Sequence, residues 1–348
     1  MPAHRRRAAG GGPADERLKP LIMNIAILDD YADVVRKLDC FSLIAHQSVT
    51  IHTDCVSDLD VLADRLQDAE AIVLLRERTP IGEALLQRLP KLRLISQNGH
   101  VPHIDLAACT RHGVLVSATL TSRPSYAAAE LTWGLMIAAL RHIPFEVEAL
   151  KQGRWQSTIG RGLRGRTLGI LGYGRIGKVI AGYARAFEMP VLVWGRQGSR
   201  SAAEGDGLSI AADRADFFRR CDVISLHLRL NDETRVSVTA DDLARMKPTS
   251  LLVNTSRAEL IAPGALAAAL KAGRPGMAAV DVLDHEPVFG AADPLLSLPN
   301  ALCTPHIGYV ELDNHEIAYG NAFRQILAFE AGEPMAVHNP EVLRASPG

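Results

Sequence analysis

The sequence predicts an α/β protein of two doubly wound parallel-sheet domains. Three observations carry that prediction: short runs apolar on both faces recur along the chain, amphipathic segments separate them, and the alternation starts afresh near Arg166. Strands that read as unbroken apolar runs are covered on both faces, which calls for helices on each side of a parallel sheet. At 348 residues the chain exceeds one typical domain, and each half is long enough to bury its own core.

Taken in order, residues 1–22 are rich in Gly, Pro, Ala and Arg and read as a disordered extension. The three arginines near the start resemble the charged opening of a signal peptide, but no apolar run follows them, so export is not supported. From Met23 to about Ser117 the runs NIAIL, EAIVLL, LRLIS and VLVS are interleaved with DLDVLADRLQD, GEALLQRL and IDLAACTRHG. A long helix-forming stretch, SYAAAELTWGLMIAALRHIPFEVEALKQG, then links the halves, with Pro144 placed to end or kink it. The second half supplies TLGIL, VLVW, DVISLHL, SLLVNT, MAAVDV and ALCTP.

Composition narrows the function classes. Hydrophobic residues are 47%, charged residues 22% and the net charge is -1, which describes a soluble globular protein and not a nucleic-acid binder. No apolar stretch approaches the roughly 18 residues of a membrane span, so no membrane partner is expected. Cys40, Cys55, Cys109, Cys221 and Cys303 are scattered, without metal-ligand spacing. They read as small buried hydrophobes in a reduced compartment, with the cytoplasm as the expected location and no metal.

The segment TLGILGYGRIGKVIAGYARAF puts GxGxxG (Gly172, Gly174, Gly177) directly after an apolar strand and at the opening of an amphipathic helix. Gly172 permits a tight turn, Gly174 lets the backbone approach a pyrophosphate, Gly177 lets helix and strand pack, and the helix N-terminus offers amides to an anion. About 20 residues further on, such units commonly offer an acid to the ribose hydroxyls. Here VLVWGRQGSR has Gly195 and Arg196 instead, followed by Ser199 and Arg200. A guanidinium there suits a 2'-phosphate, so NADP(H) is expected over NAD(H), which stays possible. The alternative is an Arg196 that stacks on adenine or faces solvent.

Three later segments fall where strands of the second half should end: NTSRAEL with Arg257, DVLDHEP with Glu286 and TPHIGY with His306. Oxidising a secondary alcohol beside a carboxylate calls for a cation to hold that carboxylate, an imidazole to exchange the proton and an acid to orient the imidazole. The segments supply one of each. A lone His or Arg at a strand end is more often structural, and it is their joint placement after the glycine loop that points to catalysis.

Together GYGRIG, SLHLRLNDET, VNTSRAELI, AAVDVLDHEP and TPHIGY resemble the D-isomer-specific 2-hydroxyacid dehydrogenase family, from Met23 to about Gly332. The resemblance implies a Rossmann cofactor domain (122–311, with the dimerisation helix) inserted in a flavodoxin-like substrate domain (23–121 plus 312–340). It implies that Arg257 anchors the substrate carboxylate, that His306 is the acid/base and that Glu286 hydrogen-bonds His306. Cofactor contacts are implied for Tyr173, Arg175, Ile176, Leu228, Arg229, Thr234, Thr255, Ser256 and Asp281, the last facing the nicotinamide carboxamide. A homodimer is implied, with Ala127 to about Gly153 at its interface.

The chain also departs from the family pattern. Relatives usually hold the substrate carboxylate with a GxG loop, whereas SQNGHVPHID keeps only Gly99; Asn98, Gly99, His100 and Val101 remain the expected substrate loop. Arg229 stands where many relatives carry proline, and Ala258 where glycine is common. The expected function is hydride transfer between a nicotinamide cofactor and a small D-2-hydroxy acid or its 2-oxo acid, with reduction of the glyoxylate or hydroxypyruvate type favoured. D-3-phosphoglycerate dehydrogenation is the alternative; Arg76, Arg78 and Arg123 are its candidate phosphate ligands. A nucleotide-sensing, corepressor-like binding protein is the alternative of another class, against which stands the lack of a long interaction tail or basic patch.

Overall fold

The structure, a computed structural model, describes residues 22–119 and 126–345. The expectations for residues 1–21 and for Arg123 lie outside them. The chain separates into two compact units, one holding the described residues up to 119 and those from Tyr319 onward, the other those from 126 to Ala318.

In the first unit β1 (Asn24–Ile27), β2 (Ser48–Ile51), β3 (Ala71–Leu75), β4 (Leu94–Asn98) and β5 (Leu115–Thr119) form one sheet in the order β2-β1-β3-β4-β5. Every pairing is parallel. This is the flavodoxin-like strand order. Helices α1 (Leu59–Leu66), α2 (Glu83–Leu86) and α3 (Leu106–Arg111) fill the crossovers. Asp58 starts α1 by accepting from the amides of Asp60 and Val61, and Asp105 starts α3 by accepting from Ala108. Ile72, Leu74, Ile95 and Val116 of the sheet are buried with Leu62 and Leu66 of α1, and each such side chain contributes about 1.5–3 kcal/mol.

In the second unit β6 (Leu168–Leu171), β7 (Val191–Trp194), β8 (Ser209–Ile210), β9 (Val223–Leu226), β10 (Leu251–Asn254), β11 (Met277–Val280) and β12 (Ala301–Cys303) pair in parallel in the order β12-β11-β10-β9-β6-β7-β8. Strand addition runs one way from β6 to β8, then restarts on the other side of β6 with β9. That reversal opens a crevice at the carboxyl ends of β6 and β9, the usual ligand position of an open α/β sheet. Helices α4 (Tyr126–Leu140), α5 (Ile143–Lys151), α6 (Arg175–Ala186), α7 (Gln197–Gly205), α8 (Arg214–Arg220), α9 (Ala240–Arg245) and α10 (Ala265–Lys271) belong to this unit, and α11 (Leu312–Glu330) follows β12. One sheet face is packed by α4 and α6 residues such as Met136 and Ile180, the other by Phe217, Phe218 and Leu243.

The linking stretch is two helices, α4 and α5. The break lies at His142, in the left-handed region at φ 54°, two residues before the Pro144 that the sequence nominates. Pro144 sits instead in the first turn of α5, where its missing N–H leaves no hydrogen bond unmade. Trp133 of α4 packs on the rings of Tyr183 and Phe187, with centroids 5.8 and 5.0 Å apart. By contrast Phe145, Val147 and Leu150 of α5 are exposed, as are Trp155 and Ile159 just beyond it. All five cysteines are free thiols; Cys109 and Cys221 are buried as expected, whereas Cys40, Cys55 and Cys303 are only half-buried.

Candidate active site

The glycine loop leaves β6 with Gly172 at φ 94°. A Cβ there would lie 2.7 Å from the His227 carbonyl oxygen and from Leu228 Cδ2, so only glycine fits. A Cβ on Gly177 would lie 2.7 Å from the Gly172 carbonyl oxygen. Gly174 differs: it caps α6, and nothing lies within 4 Å of its Cβ position. Open space before a helix N-terminus fits the pyrophosphate of a dinucleotide. Beside it Tyr173 is buried; its hydroxyl donates to Asp206 Oδ2 at 2.9 Å, and burial together with that carboxylate pushes the phenol up to about 12. Lys178 Nζ reaches the same oxygen at 2.9 Å. Arg175 is exposed, and Ile176 packs partly into the core.

At the end of β7, Arg196 Nη1 donates to Glu233 Oε2 at 2.8 Å, both side chains being largely exposed. Gly195 brings the turn close to Ser199, whose Cβ would be 3.3 Å from an added Cβ. Arg200 is diverted from this corner. Its guanidinium lies 5.0 Å over the Trp194 ring and bonds Gln197. The loop after β9 is tied by Thr234, whose hydroxyl donates to the Arg229 carbonyl at 2.6 Å and accepts from the Asn231 amide at 2.9 Å. Arg229 is exposed and Leu228 partly buried.

Beyond β10, Ser256 Oγ donates to the Leu226 carbonyl at 2.7 Å, and Thr255 Oγ1 lies 2.7 Å from Thr132 Oγ1. Asn254 holds the turn from both sides, accepting from the Ser256 amide and donating to the Arg257 carbonyl. The half-buried Arg257 side chain donates to the Ser256 carbonyl at 2.8 Å. After β11, Glu286 Oε1 accepts from the Leu283 amide at 3.0 Å, while its Oε2 is 2.5 Å from His306 Nδ1. His306 has φ 53°, a strained backbone for an L residue. The turn is pinned by Asp281, which accepts from the Ile307 amide at 2.8 Å, the Gly308 amide at 2.7 Å and the Thr304 hydroxyl at 2.5 Å. Burial raises the Asp281 carboxyl above its ordinary range, although these donors and His306 act the other way.

Every residue nominated from the sequence in the second half therefore lies at the carboxyl edge of the seven-stranded sheet. Asn98, Gly99, His100 and Val101 lie at the carboxyl edge of the five-stranded sheet of the other unit. There Asn98 accepts from Asn321, the Gly99 amide donates to Thr119, and Gln97 Nε2 donates to the His100 carbonyl. The same edge gathers Asp29, buried and accepting from Thr79 and Tyr31, and Arg78, 5.6 Å over the Tyr31 ring. Sequence reasoning missed the Ile307 and Gly308 amides, Glu233, Asp206 and the ring of Tyr309. The two amides, Asp206 and Glu233 are placed by pairings 26 to 37 positions apart, whereas Tyr309, the aromatic three places after His306, was a visible signal.

Among the described residues no group of His, Cys, Asp and Glu could hold a metal ion, and no helix is long and apolar enough to cross a membrane. Residues 133–308 match the family described as "D-isomer specific 2-hydroxyacid dehydrogenase, NAD binding domain". The D-3-phosphoglycerate dehydrogenase of Methanocaldococcus jannaschii is 36% identical over 71% of this chain, but this chain spans only 47% of that relative's length. The glyoxylate reductase of Thermococcus litoralis is 33% identical over 82% of this chain and 88% of its own. A solved phosphoglycerate oxidoreductase from Vibrio cholerae is 50% identical with a TM-score of 0.85, covering 89% of this chain and 100% of that one. A solved chain from Ralstonia solanacearum, also 50% identical, has a TM-score of 0.89 over 93% of this chain and 98% of its own.

Proposed function

The chain belongs to the D-isomer-specific 2-hydroxyacid dehydrogenase family, and from that premise we propose that it reduces a small 2-oxo acid of the glyoxylate or hydroxypyruvate type to the D-2-hydroxy acid, with NADPH preferred to NADH. The observation that carries the reading is the Glu286–His306 pair, 2.5 Å apart on the same sheet edge as Arg257 and the glycine loop.

Gly172, Gly174, Gly177 and the α6 amides would hold the cofactor, with Thr234, Thr255, Ser256 and Asp281 along the crevice. When bound there, the reduced nicotinamide supplies the hydride. Arg257 pairs with the substrate carboxylate and draws electron density from the carbonyl. His306, protonated, gives its Nε2 proton to the oxygen on C2 as charge builds there. Glu286 holds Nδ1, which fixes the ring orientation for that transfer. In the first unit the Gly99 amide is committed to Thr119, so substrate recognition by that loop falls to His100 and Val101.

The phosphorylated cofactor is favoured because β7 ends without a carboxylate and with Arg196, although a 2'-phosphate would have to compete with Glu233 for that guanidinium. A homodimer fits the exposed apolar side chains of α5 and of the segment after it. The second reading, D-3-phosphoglycerate dehydrogenation, is supported by Arg76 and Arg78, which follow β3 at the substrate-loop edge, and by the names of two of the relatives above.

The deciding experiment is a matrix of glyoxylate, hydroxypyruvate and phosphohydroxypyruvate against NADH and NADPH, run beside His306→Gln and Arg257→Ala. Each variant should lose about 10²–10⁴-fold in kcat/KM while still binding cofactor. Undiminished turnover in either removes the assignment.

A further inference from the structure

The imidazole of His306 is bounded on a second side by a ring that the mechanism above does not use. His306 and Tyr309 meet edge to face, with centroids 5.7 Å apart and planes at 75°. Tyr309 also lies parallel to His315, with an interplanar angle of 2° and centroids 6.0 Å apart. Tyr309 and His315 are only 7% and 5% exposed, so the row His306–Tyr309–His315 is packed and not waving in solvent. Both arrangements, edge-to-face and offset-parallel, are those that aromatic quadrupoles favour.

The backbone under the row is equally fixed. The Glu311 carboxylate accepts from the Asp313 and Asn314 amides at the start of α11, Asn314 Nδ2 donates to the Tyr309 carbonyl at 2.8 Å, and His315 Nδ1 lies 3.1 Å from the Glu311 carbonyl. On the other side of Tyr309 the Asp281 carboxylate pins Ile307 and Gly308. Tyr309 thus has its main chain clamped from both directions, and its ring is held by a stack.

A carboxylate at one nitrogen fixes that atom, but the ring can still pivot about the contact, which carries the opposite nitrogen sideways. A rigid ring packed against the imidazole restrains that pivot. We propose that Tyr309 is a positioning residue for His306, kept in place by offset-parallel packing against His315, so that Nε2 stays aligned for proton transfer throughout turnover. The inference rests on the acid/base reading of His306 and adds to it the residue that sets the ring's angle.

The test is steady-state reduction of glyoxylate at saturating NADPH by Tyr309→Leu, Tyr309→Phe, His315→Ala, His315→Phe and the Tyr309→Leu/His315→Ala double variant, with folding checked by thermal unfolding. Tyr309→Leu should lower kcat about tenfold, since small misplacements of a catalytic group are costly, while KM and the NADPH Kd stay within about twofold. Tyr309→Phe, which keeps the ring, should recover most of kcat. His315→Ala should reproduce the loss, His315→Phe should spare it, and the double variant should be no worse than Tyr309→Leu, because the two act as one unit.

A folded Tyr309→Leu with full kcat, a Tyr309→Phe as poor as Tyr309→Leu, or losses that multiply in the double variant would each overturn the proposal. Should Tyr309→Leu fail to fold, the contrast between His315→Ala and His315→Phe reads the same geometry: a difference in kcat supports it and equality overturns it. His306→Gln separates the two levels. If that variant keeps turnover, the acid/base reading fails; if it is inactive while Tyr309→Leu is fully active, only the positioning role falls.

Discussion

Arg196 and Glu233 are joined by a 2.8 Å ion pair that ties the end of β7 to the loop after β9, 37 positions along the chain. Because both side chains are mostly exposed, the pair is worth at most about 1 kcal/mol, and a phosphate can compete with it. Glu233→Gln should therefore raise the NADPH-to-NADH ratio of kcat/KM up to about fivefold. Arg196→Ala should lower it. Unchanged ratios in both variants would remove the argument for the phosphorylated cofactor.

Glu286→Gln keeps an oxygen for the Leu283 amide but removes the negative charge 2.5 Å from His306 Nδ1. On the proposed acid/base role of His306, kcat/KM for the 2-oxo acid should fall by about 10²–10⁴. A loss smaller than about threefold would mean that the carboxylate serves only the loop.

Gly172 and Gly174 separate folding from binding. Gly172→Ala forces a Cβ to 2.7 Å from the His227 carbonyl at φ 94°, which costs on the order of 1–3 kcal/mol and lowers the melting temperature of the cofactor-free protein. Gly174→Ala meets nothing within 4 Å, so it should fold normally yet bind NADPH more weakly, its methyl occupying the space a phosphate needs. Equal effects of the two on both unfolding and cofactor titration would contradict this division.

His227 introduces a pH dependence. Burial pulls its imidazole from 6.5 down to about 4; Nε2 lies 2.9 Å from Ser225 Oγ, and Nδ1 is buried without a partner. The folded state therefore resists protonation while the unfolded chain accepts it. Stability from this group is complete above pH about 6.5 and is lost as pH falls towards 4, by on the order of 3 kcal/mol. Thermal unfolding across that window should show the slope, and His227→Gln should flatten it. A slope that survives the substitution belongs to other groups.

Leu150 and Val147 are exposed three residues apart, on one face of α5. If that face joins two copies, Leu150→Glu should convert the dimer to a monomer without changing the secondary structure. Light scattering after size exclusion reads the mass directly, and a wild-type monomer would contradict the assembly.

What was legible in the sequence divides along physical lines. Central strands such as AIVLL of β3 and LLVN of β10 are buried at every position and announce themselves as apolar runs. The two strands that the apolar runs do not mark, β2 with SVTI and β8 with SI, are sheet edges, half-exposed or only two residues long. Gly172 could be read because its turn excludes every other residue. Glu233 could not, because nothing local to that loop says that a guanidinium from β7 will meet it. Likewise the left-handed backbone at His306 and the stacking of Tyr309 on His315 are products of a turn whose anchor, Asp281, lies 25 or more positions upstream.

That anchor also makes the turn a built-in reporter. The Ile307 and Gly308 amides and the Thr304 hydroxyl converge on one buried carboxylate, so their protons are sheltered from solvent for as long as the turn holds its shape. Hydrogen exchange at those two amides thus reports, with no substrate present, whether the turn that carries His306 keeps its shape.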